Sequence, residues 1–252
     1  MTYESVMFER IAGNPPELDK SDLMSLAGLY ARVFAGEPWN EFTVCPLESK
    51  FFGKDMQPGQ SCSTRGCEAT LALAYPRDKT IEYITNELSR PQATLFLLRD
   101  KDETDNRIVG FSWGFAYSSP DEFAEQKYQT DEMQTAISEL LRDMQLGANG
   151  LWYLSESGIE DDSRYRGQGW SRTFHTARLA VAETLGLDAI QRTNCYGNMY
   201  RTSTKTMSQI MGPEAEPELL TRQLRLTGKI INDLLDTENS ERVLFAKRQG
   251  ES

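Results

Sequence analysis

The chain has 252 residues, of which 39% are hydrophobic and 26% are charged, so wholesale disorder and a fibrous repeat are excluded and a globular protein is expected. Thirty-eight Asp and Glu against 27 Lys and Arg give a net charge of −11, which argues against a protein that coats nucleic acid or an anionic membrane. With His175 as the single histidine, a histidine-rich metal site is nearly excluded.

The sequence also bears on the cellular compartment. No basic segment followed by an apolar run begins the chain, and no stretch of about 18 apolar residues occurs, so neither an export signal nor a membrane span is predicted. Four cysteines in 252 residues are too few for a disulfide scaffold. We therefore expect a cytoplasmic protein with reduced thiols.

Apolar spacing predicts the first elements of the fold. Residues 18–35 have the pattern of an amphipathic helix capped by Asp19 or Ser21, and residues 78–88 that of a second, shorter helix. Residues 93–98 and 107–117 are rich in β-forming side chains on either side of a polar segment, which predicts a hairpin.

The second half of the chain alternates strands and helices. The pattern predicts a strand at 151–161, a turn at 163–169, a helix from Trp170 to Leu185 closed by Gly186, and a strand at 187–193. Trp170, Phe174, Ala177, Val181 and Leu185 are expected to form the buried stripe of that helix. Beyond it we expect a helix ending at Gly212, another over 215–236 and a strand at 242–247.

Two segments interrupt this order. Residues 40–76 are punctuated by Gly and Pro, lack periodicity and hold three of the four cysteines, so we interpret them as an irregular insert. Residues 118–147 are acidic with a helical apolar stripe, and we interpret them as a solvated helical extension.

The strand, turn and helix over 151–185 carry the clearest chemical signal. A turn with glycines at 167 and 169 opens a helix, and the N–H groups and the dipole of such a helix start attract a phosphate. Residues 163–178 include four arginines and no acid: Arg164, Arg166, Arg172 and Arg178. These features predict a polyphosphate site, and the alternative is an ordinary capping turn with solvated arginines.

Two better-known phosphate loops do not fit this turn. GxxxxGK[ST] is absent, and GxGxxG would need a glycine where Arg172 stands. The next strand does not end in an acidic residue, since Asp188 precedes its AIQRT segment, so a ribose-binding carboxylate is missing. Nucleotide hydrolysis and dinucleotide redox chemistry therefore lose support.

The turn instead resembles the pyrophosphate loop [QR]-x-x-G-x-[GA] of the GCN5-related N-acetyltransferases, the GNAT superfamily. Here the loop reads Arg166-Gly167-Gln168-Gly169-Trp170-Ser171, preceded by Tyr165, and Ser171 departs from the usual Gly or Ala. The order of elements is similar too, and Asn198 with Arg201 resembles the family's Asn-containing segment after the second central strand. The resemblance covers about residues 18–35 and 78–247.

This resemblance implies a fold and an activity. The fold is one mixed α/β domain over residues 1–252, with a mostly antiparallel central sheet flanked by helices. The activity is direct transfer of an acetyl group from acetyl-CoA to an amine, without a covalent enzyme intermediate. The cofactor-binding candidates are Ile159, Asp161, Arg166, Gly167, Gln168, Gly169, Trp170, Ser171, Asn198 and Arg201.

Partners and alternatives follow from the same resemblance. We expect an acyl-CoA and an amine acceptor as partners, no nucleic acid or membrane, and a monomer or homodimer. The acceptor is not identified; the acidic residues of 118–147 would favour a cationic one, or they are simply a solvated helix face. The competing hypothesis is a non-catalytic acyl-CoA sensor or interaction protein on the same fold.

Glu156 is the best candidate for the base that deprotonates the amine, because it interrupts an apolar strand and shares the parity of Trp152 and Leu154. The alternative is a salt-bridged strand carboxylate, and Glu160 and Tyr153 are weaker substitutes. Tyr200 is the candidate acid, or a packing residue. N–H groups near Gly158 and Ile159 are expected to polarise the thioester carbonyl.

The insert contains a candidate zinc site. Cys62 and Cys67 have the spacing of one knuckle, and Cys45 with Glu48 would form another if a carboxylate replaced a thiolate. Packing of Trp39, Phe42, Phe51 and Phe52 is the alternative means of holding the insert. Cys195 is expected to be a free thiol, and His175 a packed or surface residue.

Overall fold

The computed structural model describes residues 6–13, 15–37, 39–102, 106–128, 130–194 and 242–249. The first elements are β1 (Val6–Ala12), α1 (Lys20–Phe34), β2 (Thr43–Val44), β3 (Phe51–Phe52), β4 (Ala72–Leu73), α2 (Arg77–Leu88), β5 (Thr94–Asp100) and β6 (Arg107–Tyr117). They are followed by α3 (Pro120–Lys127), α4 (Asp131–Asp143), β7 (Leu151–Ile159), α5 (Trp170–Leu185), β8 (Asp188–Asn194) and β9 (Arg242–Lys247). No helix in these ranges is both long and apolar enough to cross a membrane.

Six of the strands form one mixed sheet in the order β1-β5-β6-β7-β8-β9. β1 runs antiparallel to β5 and β8 antiparallel to β9, whereas β7 and β8 are parallel. All seven residues of β5 are buried, as expected for a strand covered on both faces. The predicted fold class, a mixed and mostly antiparallel sheet flanked by helices, is confirmed.

Strand β1 is one of the elements that the sequence pattern does not predict. Charged Glu9 and Arg10 break its apolar alternation, yet all seven of its residues pair with β5. The Glu9 carboxylate accepts a hydrogen bond of 2.8 Å from Nε of Arg99, which lies on β5. The strand is therefore stabilised by a partner 90 positions away in the chain.

The chain contacts form two compact units. The first comprises Met1–Ser89, Thr94–Ser112 and Ser157–Trp170, and its core includes Leu26, Leu29, Ile84, Leu95 and Phe111. The second comprises Arg90–Ala93, Trp113–Glu156 and Ser171–Ser252, and its core includes Trp113, Phe123, Trp152, Phe174 and Phe245.

The insert, residues 40–76, is irregular as predicted apart from one small sheet. Strands β2, β3 and β4 contribute two residues each, and β2 pairs antiparallel with both neighbours. Strands this short contribute few ladder hydrogen bonds, so the insert depends on other contacts for its shape.

The acidic extension over 118–147 differs from the single solvated helix we expected. It forms two helices, capped by the side chains of Ser119 and Thr130. Phe123, Ile137 and Leu141 are at most 3% exposed, so the apolar stripe is packed and only the acidic face meets solvent.

Helix α5 has the predicted bounds but a different buried face. Phe174 and Val181 are buried as expected, whereas Leu185 is 36% exposed and Trp170 half-buried. His175 and Arg178 are fully buried instead. The expectation that Arg178 is solvated is therefore wrong.

Candidate functional site

The turn before α5 is organised by Asp162. Its carboxylate accepts a 2.8 Å hydrogen bond from the N–H of Arg164, and its carbonyl accepts from the N–H groups of Tyr165 and Arg166 at 3.0 and 2.9 Å. Hydrogen bonds from the Arg164 side chain and backbone hold the pKa of Asp162 below its usual value. The turn therefore keeps its shape through contacts of its own residues.

Both glycines of the turn need their conformational freedom. Gly167 and Gly169 have φ of +75° and +84°, in the left-handed region that other residues seldom adopt. A Cβ atom added at either position would meet nothing within 4 Å, so the positive φ, and no clash with protein atoms, is the reason for glycine. Arg166, Gly167, Gln168 and Gly169 are exposed, and Trp170 begins the helix.

Tyr165 connects the turn to strand β5. It is 1% exposed, and its hydroxyl donates a hydrogen bond to the buried carboxylate of Asp100 at the end of β5. Burial, then the hydrogen bond to Asp100, raises the pKa of Tyr165 to about 12, so it remains a neutral donor. The turn is therefore connected to the sheet through a buried contact.

The arginines of the turn do not form the positive patch that the sequence suggested. Arg164 pairs with Asp162 at 2.9 Å and lies 3.7 Å from Asp100, while Nε of Arg166 pairs with Asp161 at 3.0 Å. Arg166 also donates to the carbonyl of Glu37 at 3.3 Å. Arg172 is exposed and takes no part in these ion pairs.

Strands β7 and β8 pair over a short length only. Their parallel register joins Leu151 to Asp188, Trp152 to Ala189 and Tyr153 to Ile190, and no further pair between them occurs in the described residues. β8 nevertheless continues to Asn194, and β7 beyond Tyr153. Parallel strands whose pairing stops in this way provide a backbone edge along which an extended ligand can insert.

Glu156 lies on β7 beyond the last pair and is half-buried. Nη1 of the buried Arg178 is 3.5 Å from the Glu156 carbonyl oxygen. Burial lowers the pKa of Arg178 to about 10, and the charge of Glu156 opposes that effect by favouring the guanidinium.

The substitutes for Glu156 are less suited to the role of a base. Glu160 is 17% exposed at its side chain, and its carboxylate pairs with Arg107 at 2.9 Å and Arg32 at 3.2 Å. Tyr153 is buried among aromatic rings, with Phe115 and Phe123 both at 5.7 Å. Two cofactor-binding candidates lie nearby in the chain. Ile159, the last residue of β7, is half-buried, and Asp161 is exposed and pairs with Arg166.

His175 is packed in the protein and is not placed to act as a base. Its ring is fully buried, and burial, assisted by the charge of Arg178, lowers its pKa to about 3. The folded pKa lies below the unfolded value of about 6.5, so the neutral ring contributes stability above pH 6.5 that is lost as the pH falls toward 3.

We therefore expect the His175 ring to remain neutral from pH 8 to 5, while the unfolding free energy falls by at most about 1.4 kcal/mol per pH unit below 6.5 from this group. The chain has one histidine, so its imidazole NMR signals are assigned without ambiguity. His175→Gln should remove this part of the pH dependence. A ring titration with a midpoint near pH 6.5 in folded protein would contradict the burial.

A cavity of about 460 Å³ lies in the first unit, at the C-terminal end of α1. Its apolar wall includes Val33, Phe42 and Leu73, and positively and negatively charged side chains also line it. They are Arg32, Glu41, Lys54, Glu160 and Asp161. The carboxylate of Glu41 accepts a hydrogen bond from the hydroxyl of Tyr75, another lining residue.

Three cysteines of the insert are brought together as predicted. The Sγ atoms of Cys45, Cys62 and Cys67 lie within 4.8 Å of one another. The side-chain and backbone hydrogen bonds of Thr64 lower the pKa of Cys62 to about 7. The N–H of Ala69 lowers the pKa of Cys67, but burial and the hydrogen bonds with the other two sulfurs together outweigh it and raise the pKa to about 11. Glu48 is exposed and outside this group, so it does not complete a second knuckle.

Several predicted positions fall outside the described residues. Tyr200, Asn198, Arg201 and Cys195 are among them, as are the two helices expected after residue 194. Their predicted roles stay predictions.

Solved structures with a similar arrangement were found. A mosquito arylalkylamine N-acetyltransferase like 5b has a TM-score of 0.43 at 11% identity, covering 79% of this chain and 82% of that chain. The Drosophila melanogaster polyamine N-acetyltransferase has a TM-score of 0.42 at 11% identity, covering 81% of this chain and 81% of that chain. An acetyltransferase of the GNAT family from Streptococcus pneumoniae has a TM-score of 0.37 at 10% identity, covering 81% and 83%.

No protein-family model and no curated protein matches the sequence. The three solved structures are all distant in sequence from this chain. Since their identities are 10–11% and their TM-scores 0.37–0.43, they concern the fold alone and assign no substrate to this chain.

Proposed function

We propose that this protein is an acyl-CoA-dependent N-acetyltransferase of the GNAT superfamily, which transfers the acetyl group of acetyl-CoA directly to an amine. One observation carries the proposal. Residues 166–169 form a turn with positive φ at Gly167 and Gly169, and that turn leads into α5, the next helix after β7. The end of the β7–β8 pairing supports it independently.

Backbone groups are the proposed phosphate ligands. Residues 166–171 enter the first turn of α5, where N–H groups and the helix dipole favour an anion. Arg164 and Arg166 are already paired with carboxylates, so their charges are largely compensated before a ligand arrives. The hydroxyl of Ser171 is a further donor beside the phosphates, in place of the Gly or Ala of the family pattern.

Glu156 is the proposed base. It would take a proton from the bound ammonium, because only the neutral amine can attack the thioester carbon. The new C–N bond forms as the C–S bond breaks, and the CoA thiolate leaves and is protonated by an acid or by water. N–H groups of Gly158 and Ile159 would stabilise the negative charge on the carbonyl oxygen during the attack.

The cavity beside α1 is the proposed acceptor site. It is bounded by Glu160 and Asp161, which directly follow β7, and it combines apolar wall with charges of both signs. Such a lining suits an amine that carries an apolar portion and a further polar group. Screening a panel of amines is needed to identify the acceptor more closely.

A thiol-release assay tests the proposed function. Purified protein is incubated with acetyl-CoA and a panel of small amines, amine antibiotics, peptides with free N-termini and lysine peptides. We expect free CoA and an acetylated product, seen by mass spectrometry, for at least one acceptor. Binding of CoA by calorimetry without any turnover would favour the sensor hypothesis instead, and no binding at millimolar CoA would contradict both.

A further inference from the structure

Backbone hydrogen bonds bring the three cysteines of the insert together from separate turns. The N–H of Cys45 donates to Lys50, that of Cys62 to Ala69 and that of Cys67 to Thr64, at 2.8–3.0 Å. Gly66, with φ of +82°, allows the chain to reverse just before Cys67. The positions of the sulfurs are therefore determined by main-chain geometry around them.

The distances between the sulfurs match those of a tetrahedral metal centre. With Zn–S bonds of about 2.3 Å, two thiolates at adjacent corners of a tetrahedron are about 3.8 Å apart. Sγ of Cys45 is 3.5 Å from Sγ of Cys67, and all three sulfurs fall within 4.8 Å of one another. The three are free thiols, since a disulfide would bring two sulfurs to about 2.05 Å.

The cysteines also occupy the centre of the insert. Its buried cluster consists of Cys45, Cys62, Ala69 and Leu71, with Phe52 and Met56 packed against it. The aromatic alternative is weakened at Phe51, whose side chain is 45% exposed. A core this small lacks the apolar area that usually holds a segment with two-residue strands.

We propose that Cys45, Cys62 and Cys67 bind one Zn²⁺ as thiolates and that this ion holds the insert in its fold. Thiolates are soft ligands, and zinc accepts three of them in a tetrahedral site; binding displaces the remaining thiol protons to solvent. Among the described residues, no further Cys, His, Asp or Glu joins the group.

This inference goes beyond the proposed function and does not depend on it. If the ion holds the insert, it also maintains one wall of the cavity, because Phe42, Lys54 and Leu73 belong to both. The expected consequence of metal loss is local loosening of residues 40–76, while elements outside the insert retain their protection.

The test is metal analysis of protein purified without chelator. We expect about one zinc per chain by mass spectrometry, and less than about a tenth of that in Cys45→Ser, Cys62→Ser and Cys67→Ser. Cys195→Ser is the matched control and should retain full zinc. Hydrogen exchange after chelation should accelerate in the insert and recover when zinc is returned.

Wild-type protein provides a second measurement in case a variant fails to fold. Cobalt added to metal-free protein should give sulfur-to-cobalt charge-transfer bands and the d–d bands of a tetrahedral site, and zinc should abolish them. Zinc should also protect three thiols from alkylation. The proposal is overturned by metal-free protein that gives no cobalt spectrum, by a native disulfide between two of these cysteines, or by loss of zinc in Cys195→Ser.

Discussion

Gly169→Glu is expected to weaken CoA binding by about 100-fold or more, and calorimetry with CoA measures the effect. The Cβ of the new side chain meets no protein atom within 4 Å, so the carboxylate extends into the open space above the turn, where the phosphates are proposed to lie. Repulsion there, with loss of one or two charge-assisted hydrogen bonds of about 1.5–3 kcal/mol each, accounts for the size of the effect.

Backbone strain has to be separated from this charge effect. Gly186 offers a matched control, because it has φ of +68°, its Cβ would also meet nothing within 4 Å, and it lies at the other end of α5. Gly186→Glu introduces similar strain and the same charge, and its affinity for CoA should stay within about twofold of wild type. Equal losses in both variants, or undiminished binding in Gly169→Glu, would exclude the phosphate site.

Glu156→Gln is expected to lower the rate of acetyl transfer by about 10²- to 10³-fold while leaving the affinity for CoA unchanged. The amide keeps the size of the side chain but cannot accept the proton of the ammonium. Turnover in the thiol-release assay and CoA binding by calorimetry are compared for the two proteins. Unchanged turnover would assign deprotonation to a water path.

The same variant also disturbs a buried charge. Arg178 is fully buried and the charge of Glu156 favours its guanidinium, so removing that charge is expected to lower the unfolding free energy by on the order of 2 kcal/mol. In Glu156→Gln/Arg178→Met both charges are gone, and stability should return toward wild type because no buried guanidinium is left without its counter-charge. Turnover should stay low. If turnover recovered in the double variant, Glu156 would act only as a counter-charge to Arg178 and would not be the base.

Features that depend on neighbouring residues could be predicted from the sequence. Apolar spacing located α1 to within two residues and α5 at its observed bounds, because helix periodicity is a local property. The turn at 166–169 was recognisable for a similar reason, since positive φ at Gly167 and Gly169 is required by the turn itself. The three candidate zinc ligands could be named from residue type and spacing.

Features that depend on distant residues were decided by tertiary structure. β1 is stabilised by pairing with β5, and its own charged residues break the alternation that would have predicted a strand. Tyr165 reaches a carboxylate 65 residues away, at Asp100, which also lies near Arg164, so the positive patch read from the sequence is largely compensated. Burial of His175 and Arg178 likewise followed from which face of α5 packs.

The sequence by itself therefore determined helices α1 and α5, the glycine turn and the types of side chain available for chemistry. Tertiary structure decided which of those side chains are charged, paired or exposed, as at Glu160 between Arg32 and Arg107, and which sulfurs meet. The physical reason is that dihedral preferences and hydrophobic period act over a few residues, whereas ion pairing, desolvation and metal geometry require contacts that only the folded chain creates.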